Sequence, residues 1–342
     1  MQIRAFERNR DRAAWDAYVE AHPGGSFFHL SGWETILADF FHHRTHYLLA
    51  EAGGRLQGLI PLAEVRSRLF GNRLVSVPLG VYGGALADDE AVETALRDAA
   101  IELAEQRRVD HLELRHLQPR PGLPTVDRYV RFRRAIHADA DANMAEIPRK
   151  QRAMIRKAMR KGLQAGFGRD TGVFYRLYAE SLRNLGTPVL PRAYFEQLHA
   201  VFGAACEQLT VRDAGGRPVA SVLSFYFRDE VLPYYGGGSA AARALSANDF
   251  MYWELMCHAA ARGVRRFDFG RSRVGAGSYH FKRHWGFEPE PLHYQYHLRQ
   301  GQALPNASPD NPRFQLAIRC WQRLPLRLTT WLGPLVARQL TW

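Results

Sequence analysis

The densest chemistry lies between Pro233 and Phe287. Lys282 sits inside Phe281-Lys282-Arg283-His284-Trp285-Gly286-Phe287. An ammonium wedged among rings is costly to bury without a partner, so its place there points to a function. Upstream, Phe267-Asp268-Phe269 reads as a strand running into Gly270-Arg271-Ser272-Arg273. That puts a carboxylate and two guanidinium groups at a strand end, where α/β proteins commonly place reactive groups. The run Pro233-Tyr234-Tyr235-Gly236-Gly237-Gly238 adds stacking area and hydroxyls, and glycines such as Gly237 let a ligand approach the backbone. A polar loop, Asn184-Leu185-Gly186-Thr187-Pro188, follows a helical stretch from Val173 to Arg183. With Asn184 and Thr187, we take Asn248, Tyr252 and Trp285 as candidate substrate contacts.

The elements that position these groups come in two copies. Ala52-Gly53-Gly54-Arg55 recurs as Ala214-Gly215-Gly216-Arg217, each after a strand-like run and before another, so both read as hairpin turns. Tyr82-Gly83-Gly84 echoes Tyr235-Gly236-Gly237, and Leu112-Glu113-Leu114 echoes Phe267-Asp268-Phe269. Between these echoes both halves carry a helical pattern, Ala91 to Arg107 and Asn248 to Arg262. Duplication of one α/β (α+β) unit, a mixed sheet flanked by helices, is therefore predicted. The expected boundaries are 1–145 for the first domain, 146–300 for the second, and 301–342 for a basic tail.

The second half opens on Arg149, Lys150, Arg152, Arg156, Lys157, Arg160 and Lys161 without an acidic residue among them. At helical spacing Arg149, Arg152, Arg156 and Arg160 share one face, over an apolar strip of Ile147, Met154, Ile155 and Leu163. Without interspersed Glu the run repels itself unless an anion lies against it, which predicts phosphate binding. The whole chain agrees in sign: 46 basic and 34 acidic side chains leave +12 among 342 residues.

Several chemistries are struck off. No GxSxG elbow, GxxxxGK[ST] loop, HExxH helix or early GxGxxG occurs. Cys206, Cys257 and Cys320 show no CxxC spacing, which argues against a disulfide framework or Cys-ligated zinc and for a reducing compartment. His42, His43 and His46 would put two imidazoles on one helical face, yet no carboxylate stands at a ligand-like spacing, and no metal is expected. Met1 to Asp11 lacks the apolar core of a signal peptide, and no apolar run reaches the ~18 residues of a membrane span, so a cytoplasmic protein is expected.

Taken together, Phe28-His29-Leu30-Ser31-Gly32-Trp33, the GGRLQGLIPL hairpin, Tyr82-Gly83-Gly84, Pro148-Arg149-Lys150-Gln151-Arg152, Asn184 to Pro188, Pro233 to Gly238, Phe267 to Ser272 and Phe281 to Phe287 resemble the FemAB family. The likeness runs from about Gly24 to Leu298 and is greatest to the branch accompanying exosortase (PEP-CTERM) and exopolysaccharide loci. It implies two tandem GNAT-like acyltransferase domains. Better-studied relatives move an amino acid from aminoacyl-tRNA to an amino group on a UDP- or lipid-linked precursor. In the family Lys282, within FKxxWG, corresponds to a lysine near the reacting ester, and the basic helix to Arg149 through Lys161. One departure concerns the donor: acetyl-CoA enzymes carry [RQ]xxGx[GA], whereas Gly275 and Gly277 are preceded at that place by Ser272.

On this resemblance Lys282 stabilises the oxyanion, helped by Arg271 or the hydroxyls of Tyr234 and Tyr235, and Asp268 takes the proton. Nothing tightly bound is expected as a cofactor; the donor is aminoacyl-tRNA or acyl-CoA. The partners expected are a phosphate-bearing precursor, tRNA, and a membrane surface at the inner face of the membrane. The tail from Arg313 to Trp342 suggests the last, with Arg313, Arg319, Arg323, Arg327 and Arg338, no acid, and Pro325 and Pro334 breaking it into short helices. A non-catalytic membrane-associated module of exopolysaccharide assembly and an acyl-CoA-dependent N-acetyltransferase are the alternative readings.

Overall fold

A computed structural model describes residues 1–67, 71–304 and 312–338. Along the first part run β1 (Gln2–Ala5), α1 (Arg8–Ala21), α2 (Gly32–Thr35), β2 (Arg44–Thr45), β3 (Leu48–Ala52), β4 (Arg55–Ile60), β5 (Leu62–Ser67), β6 (Gly71–Ser76), β7 (Leu86–Ala87), α3 (Glu90–Gln106), β8 (His111–His116), β9 (Thr125–Val126) and β10 (Tyr129–Ala135). Then follow α4 (Ala140–Glu146), α5 (Arg149–Met159), β11 (Gln164–Gly168), α6 (Thr171–Leu185), α7 (Arg192–Phe202), β12 (Cys206–Arg212), β13 (Pro218–Phe227) and β14 (Glu230–Gly238). The chain continues through α8 (Ala240–Leu245), α9 (Ala247–Ala261), β15 (Arg266–Arg273), α10 (Gly277–His284), β16 (Pro289–Pro291), β17 (His293–Leu298), α11 (Pro312–Arg323) and α12 (Leu326–Ala337).

Local chemistry explains the elements that carry the site. α3 starts where Asp89 accepts from the Val92 amide at 2.8 Å, and it buries Val92, Leu96, Ala100 and Ala104 at four-residue spacing. α6 starts at Asp170, which accepts from the Val173 amide at 3.0 Å, and ends at Gly186, φ +78°, where the Thr187 amide returns to the Leu182 carbonyl. The expected Asn184–Pro188 loop is therefore a helix stop. At the β3–β4 hairpin Gly53 and Gly54 both have positive φ, as a two-residue turn matched to strand twist demands. The second Gly-Gly turns differently: only Gly216 has positive φ, and the Asp213 carboxylate accepts from the amides of Gly215 and Arg217.

Among the described residues two compact units emerge, 1–67 and 71–129 with 291–304 and 338, and 130–290 with 312–337. The sheet of the second runs β11-β12-β13-β14-β15-β10-β16. In the first, Pro61 interrupts the strand between β4 and β5, and two sheets result, β1-β3-β4-β7 and β2-β5-β6-β8-β17-β9. Read through that break, the order β1-β3-β4/β5-β6-β8-β17-β9 repeats the second unit position for position. The duplication reaches the strand order itself. It also carries an exchange: β17 completes the first unit and β10 the second. The units part at 129/130 and 290/291, and α11 and α12 join the second, where the sequence suggested 1–145, 146–300 and a separate tail 301–342, because strand pairing and packing gather residues that chain order separates.

The two cores are distinct. Leu62, Leu74, Leu112 and Leu114 meet α3 in the first unit. In the second, Val222, Val231, Phe267, Phe269, Trp285 and Phe287 pack with α5 and α9. Among the described residues no helix is long and apolar enough to cross a membrane.

Several sequence expectations change. The Tyr-Gly-Gly echo is one of sequence only: Tyr235-Gly236-Gly237 lies within β14, but Tyr82-Gly83-Gly84 lies in a loop after β6. His42 has φ +56°, and neither it nor His46 is helical, so the shared face for a metal does not form. Pro325 separates α11 from α12 as expected, whereas Pro334 lies inside α12. Of the expected tail, 305–311, 339–342 and the side chains of Arg313 and Phe314 lie outside the described residues.

Candidate active site

The second unit builds its site where two parallel strands part. β14 pairs with β15 only through Glu230 opposite Arg266 and Val231 opposite Phe267, after which both strands continue unpaired to each other. A register shift on the β13 side helps: Leu223 faces Tyr235 and Ser224 faces Pro233, leaving Tyr234 as the extra residue of a bulge. Bulges bend and twist a strand, here just past the last rung shared with β15. The opening lies beyond the paired ends, toward the strands' carboxyl termini, the usual place for chemistry on parallel strands.

Buried ionisable groups gather at its base. Asp268 is wholly buried and accepts from the Gly270 amide at 2.7 Å. Gly270 takes φ +67°, turning its carbonyl toward α10. Lys282, only 8% exposed, donates from Nζ to the carbonyls of Gly270 and Arg271, 3.0 Å each. Its ammonium lies 5.6 Å from the centre of the Phe132 ring. Burial lowers its pKa to about 7, with the negative charge of Asp268 opposing and the Arg271 guanidinium adding to the shift. Glu230 goes the other way: burial, reinforced by Asp268, raises its carboxyl to about 7, while Arg133 holds the charge in place by donating to it. Phe132 and Arg133 both belong to β10, so the exchanged strand supplies part of the site.

The other expected residues divide. Arg271 is half-buried at the end of β15, close to the cluster. Tyr235 is not: its hydroxyl meets that of Tyr194 at 2.8 Å within a nest of rings from α6 and α7, and Tyr234 packs edge-on against it at 4.7 Å. Gly237 serves packing, since a Cβ there would come within 2.7 Å of the Tyr178 Cα. Asn184 is exposed at the end of α6 and Thr187 half-buried beyond it. On α9, Asn248 is exposed and the Tyr252 hydroxyl lies 3.0 Å from where a Cβ on Gly236 would be.

Trp285 is wholly buried and donates from Nε1 to Asp249 at 3.3 Å. Gln151 of α5 donates to the same Asp249 oxygen. Burial raises the Asp249 carboxyl to about 6, against the pull of both donors. This bond ties α5 to α9, and Ile155 and Ala158 bury the rest of that face. Met154, expected in the buried strip, is only half-buried, and Gln151 takes an inward place. Outward stand Arg149, Lys150, Arg156, Lys157 and Arg160, all exposed, with Arg152 half-buried. α5 thus holds its cations on a rigid base and presents them to solvent. Among the described residues no group of His, Cys, Asp or Glu is arranged to hold a metal ion.

Sequence reasoning missed Glu230, Arg133, Gln151 and Asp249. Each owes its role to a partner remote in sequence, and a single acid or amide in a strand or helix gives no local sign of that.

Comparison with known proteins bears on this architecture. The model of the acetyltransferase (GNAT) domain matches residues 149–283, the stretch from α5 to α10. A crystal structure of FemX superposes over 93% of this chain and all of its own, with TM-score 0.67 and 15% identity. The fold is a tandem GNAT fold. Other GNAT-type structures agree: the C-terminal domain of a putative lysylphosphatidylglycerol synthetase from Agrobacterium fabrum covers 85% of this chain and 92% of its own at TM-score 0.56 and 14% identity. A tandem GNAT protein from the clavulanic acid biosynthesis pathway covers 86% and 97% at TM-score 0.52 and 13% identity. No curated protein sequence matches. The arrangement of β14 and β15 recurs in the first unit, where the parallel strands β6 and β8 pair only through Arg73–Val75 and His111–Glu113.

Proposed function

We propose that this chain is an N-acyl or aminoacyl transferase acting on an amino group of a phosphate-bearing cell-envelope precursor, peptidoglycan- or exopolysaccharide-related. The donor is aminoacyl-tRNA or acyl-CoA. What carries the reading is the buried Lys282 ammonium toward the carboxyl end of β15, in the field of Asp268. Two of its three hydrogens are spent on the carbonyls of Gly270 and Arg271, leaving one for a ligand.

In the reaction proposed, the acceptor nitrogen attacks the donor carbonyl carbon, a C–N bond forms, and the carbonyl oxygen takes the negative charge. Lys282 donates its remaining hydrogen to that oxygen. Collapse breaks the C–O bond of an ester or the C–S bond of a thioester, and the leaving oxygen or sulfur takes up the proton that the amine gave to the carboxylates. The proton lost by the amine goes to the carboxylate pair of Asp268 and Glu230. Glu230, whose pKa is brought near neutrality, suits that exchange, while Asp268 is fixed by the Gly270 amide. Arg149, Lys150, Arg152 and Arg156 supply cations for the precursor's phosphates or for tRNA.

The test is mass spectrometry of UDP- and lipid-linked amino-bearing precursors incubated with pure protein and either donor. A mass increase of one acyl group that requires the protein is expected. Absence of transfer from both donor classes overturns the reading.

A further inference from the structure

The two C-terminal helices each use one face and leave the other unexplained. Both pack on α6. A Cβ on Gly186 would come within 2.4 Å of Ile318 in α11, and the Gln322 side chain donates to the Asn184 carbonyl at 3.1 Å. On α12 Thr329, Gly333 and Ala337 are buried, with Gly333 so close to Val189 that a Cβ would meet its carbonyl oxygen at 2.9 Å.

The opposite faces are not the polar surfaces that docked helices normally show. Trp331 is 69% exposed, Leu335 59% and Leu328 37%, and their spacing makes one stripe along α12. On α11 Leu316 is 71% exposed, and exposed Arg319 and Arg323 follow it on the same face. Arg327, also exposed, stands at the start of α12. No acidic residue occurs from Arg313 to Trp342. Water-facing Leu and Trp, with guanidinium groups that have no acidic residue on their own helices, fit a surface that is apolar beneath and anionic at its edge. Trp favours the depth between headgroup and acyl chain, and guanidinium groups pair with lipid phosphates. A second copy of the same face fits less well, because a two-fold contact would bring the Arg-bearing faces of both copies together.

We infer that the exposed faces of α11 and α12 dock the protein on an anionic lipid surface. The contact is peripheral, through side chains on helices already held by α6. It is independent of the acyl-transfer reading and stands or falls separately.

The full chain is sedimented with phosphatidylcholine vesicles and with vesicles in which part of that lipid is replaced by phosphatidylglycerol. Binding is expected only to the second and is expected to fall with salt. Arg319→Gln, Arg323→Gln and Arg327→Gln together should weaken partitioning roughly a hundredfold, from about fivefold per guanidinium. Trp331→Ser with Leu335→Ser, both at exposed positions, should weaken it about tenfold or more while leaving the circular dichroism melt unchanged. Light scattering on the same samples follows self-association. Equal binding to both vesicle types, no binding to either, variants that bind like wild type, or a dimer that the Ser pair dissolves overturns the inference.

Discussion

Lys282 Nζ lies 3.0 Å from the carbonyl oxygen of Gly270, a residue whose φ of +67° turns that oxygen toward the lysine. Backbone and side chain are thus matched to hold an amine where water is scarce. Burial favours the neutral amine and brings the pKa from 10.5 to about 7 in the folded protein. Between those values the unfolded chain binds more protons than the folded one, so this group's contribution to stability rises with pH from about 7 to 10.5. Its penalty is fullest below 7. Lys282→Met should flatten that slope and gain on the order of a few kcal/mol near pH 6, seen in urea unfolding across pH. An unchanged slope contradicts a depressed pKa.

Asp249 tests the tie between α5 and α9. Its folded pKa, raised by burial from 3.8 to about 6, means that the folded state binds the extra proton between those values. Stability from this group falls as pH rises through that window, and the cost is complete above about 6. Asp249→Asn should remove that dependence. Gln151→Leu should cost about 1–3 kcal/mol at neutral pH by stripping a donor from a buried carboxylate. The pair is checked by denaturant titrations at acid and neutral pH. A Gln151→Leu variant as stable as wild type would show the bond to be idle.

The strand exchange makes a prediction about fragments. Residues 1–145 carry β10 but lack β17, and residues 146–300 carry β17 but lack β10. Each would lack an interior strand of its own sheet and expose the unpaired edges of its neighbours. Neither fragment should fold alone, as read by amide exchange and proton NMR dispersion. Well-dispersed spectra from either one contradict the exchange.

Gly237→Ala should destabilise by about 1–3 kcal/mol, since the new methyl would meet α6 backbone at Tyr178 Cα, 2.7 Å away, and at Leu177 O, 2.9 Å away. A thermal melt decides it. A neutral result would mean that α6 shifts freely, which the packing of α11 and α12 on it opposes.

What could be read from the sequence was local in origin. The Gly53-Gly54 turn, β13 over Pro218–Phe227, and α3 and α9 announce themselves through glycine φ preference and apolar spacing. Duplication was legible because Leu112–Leu114 and Phe267–Phe269 each follow a helix in the same slot. The exchange was not. Val130 and Phe132 of β10 alternate as they would in either sheet, and nothing nearby names the partner. In the same way Lys282 stood out by its aromatic neighbours, but Glu230 owes its perturbed pKa to burial in the folded sheet, reinforced by Asp268, and Tyr235 loses its hydroxyl to Tyr194. Such pairings exist only once the sheet has formed.

The most direct measurement is the single-turnover rate of acyl transfer to the precursor, for wild type and Lys282→Ala at matched substrate saturation and with both proteins shown to be folded. A loss of about 100-fold or more is expected, the cost of one oxyanion donor. Equal rates would contradict the role given to Lys282 and leave its amine a structural clasp on the end of β15.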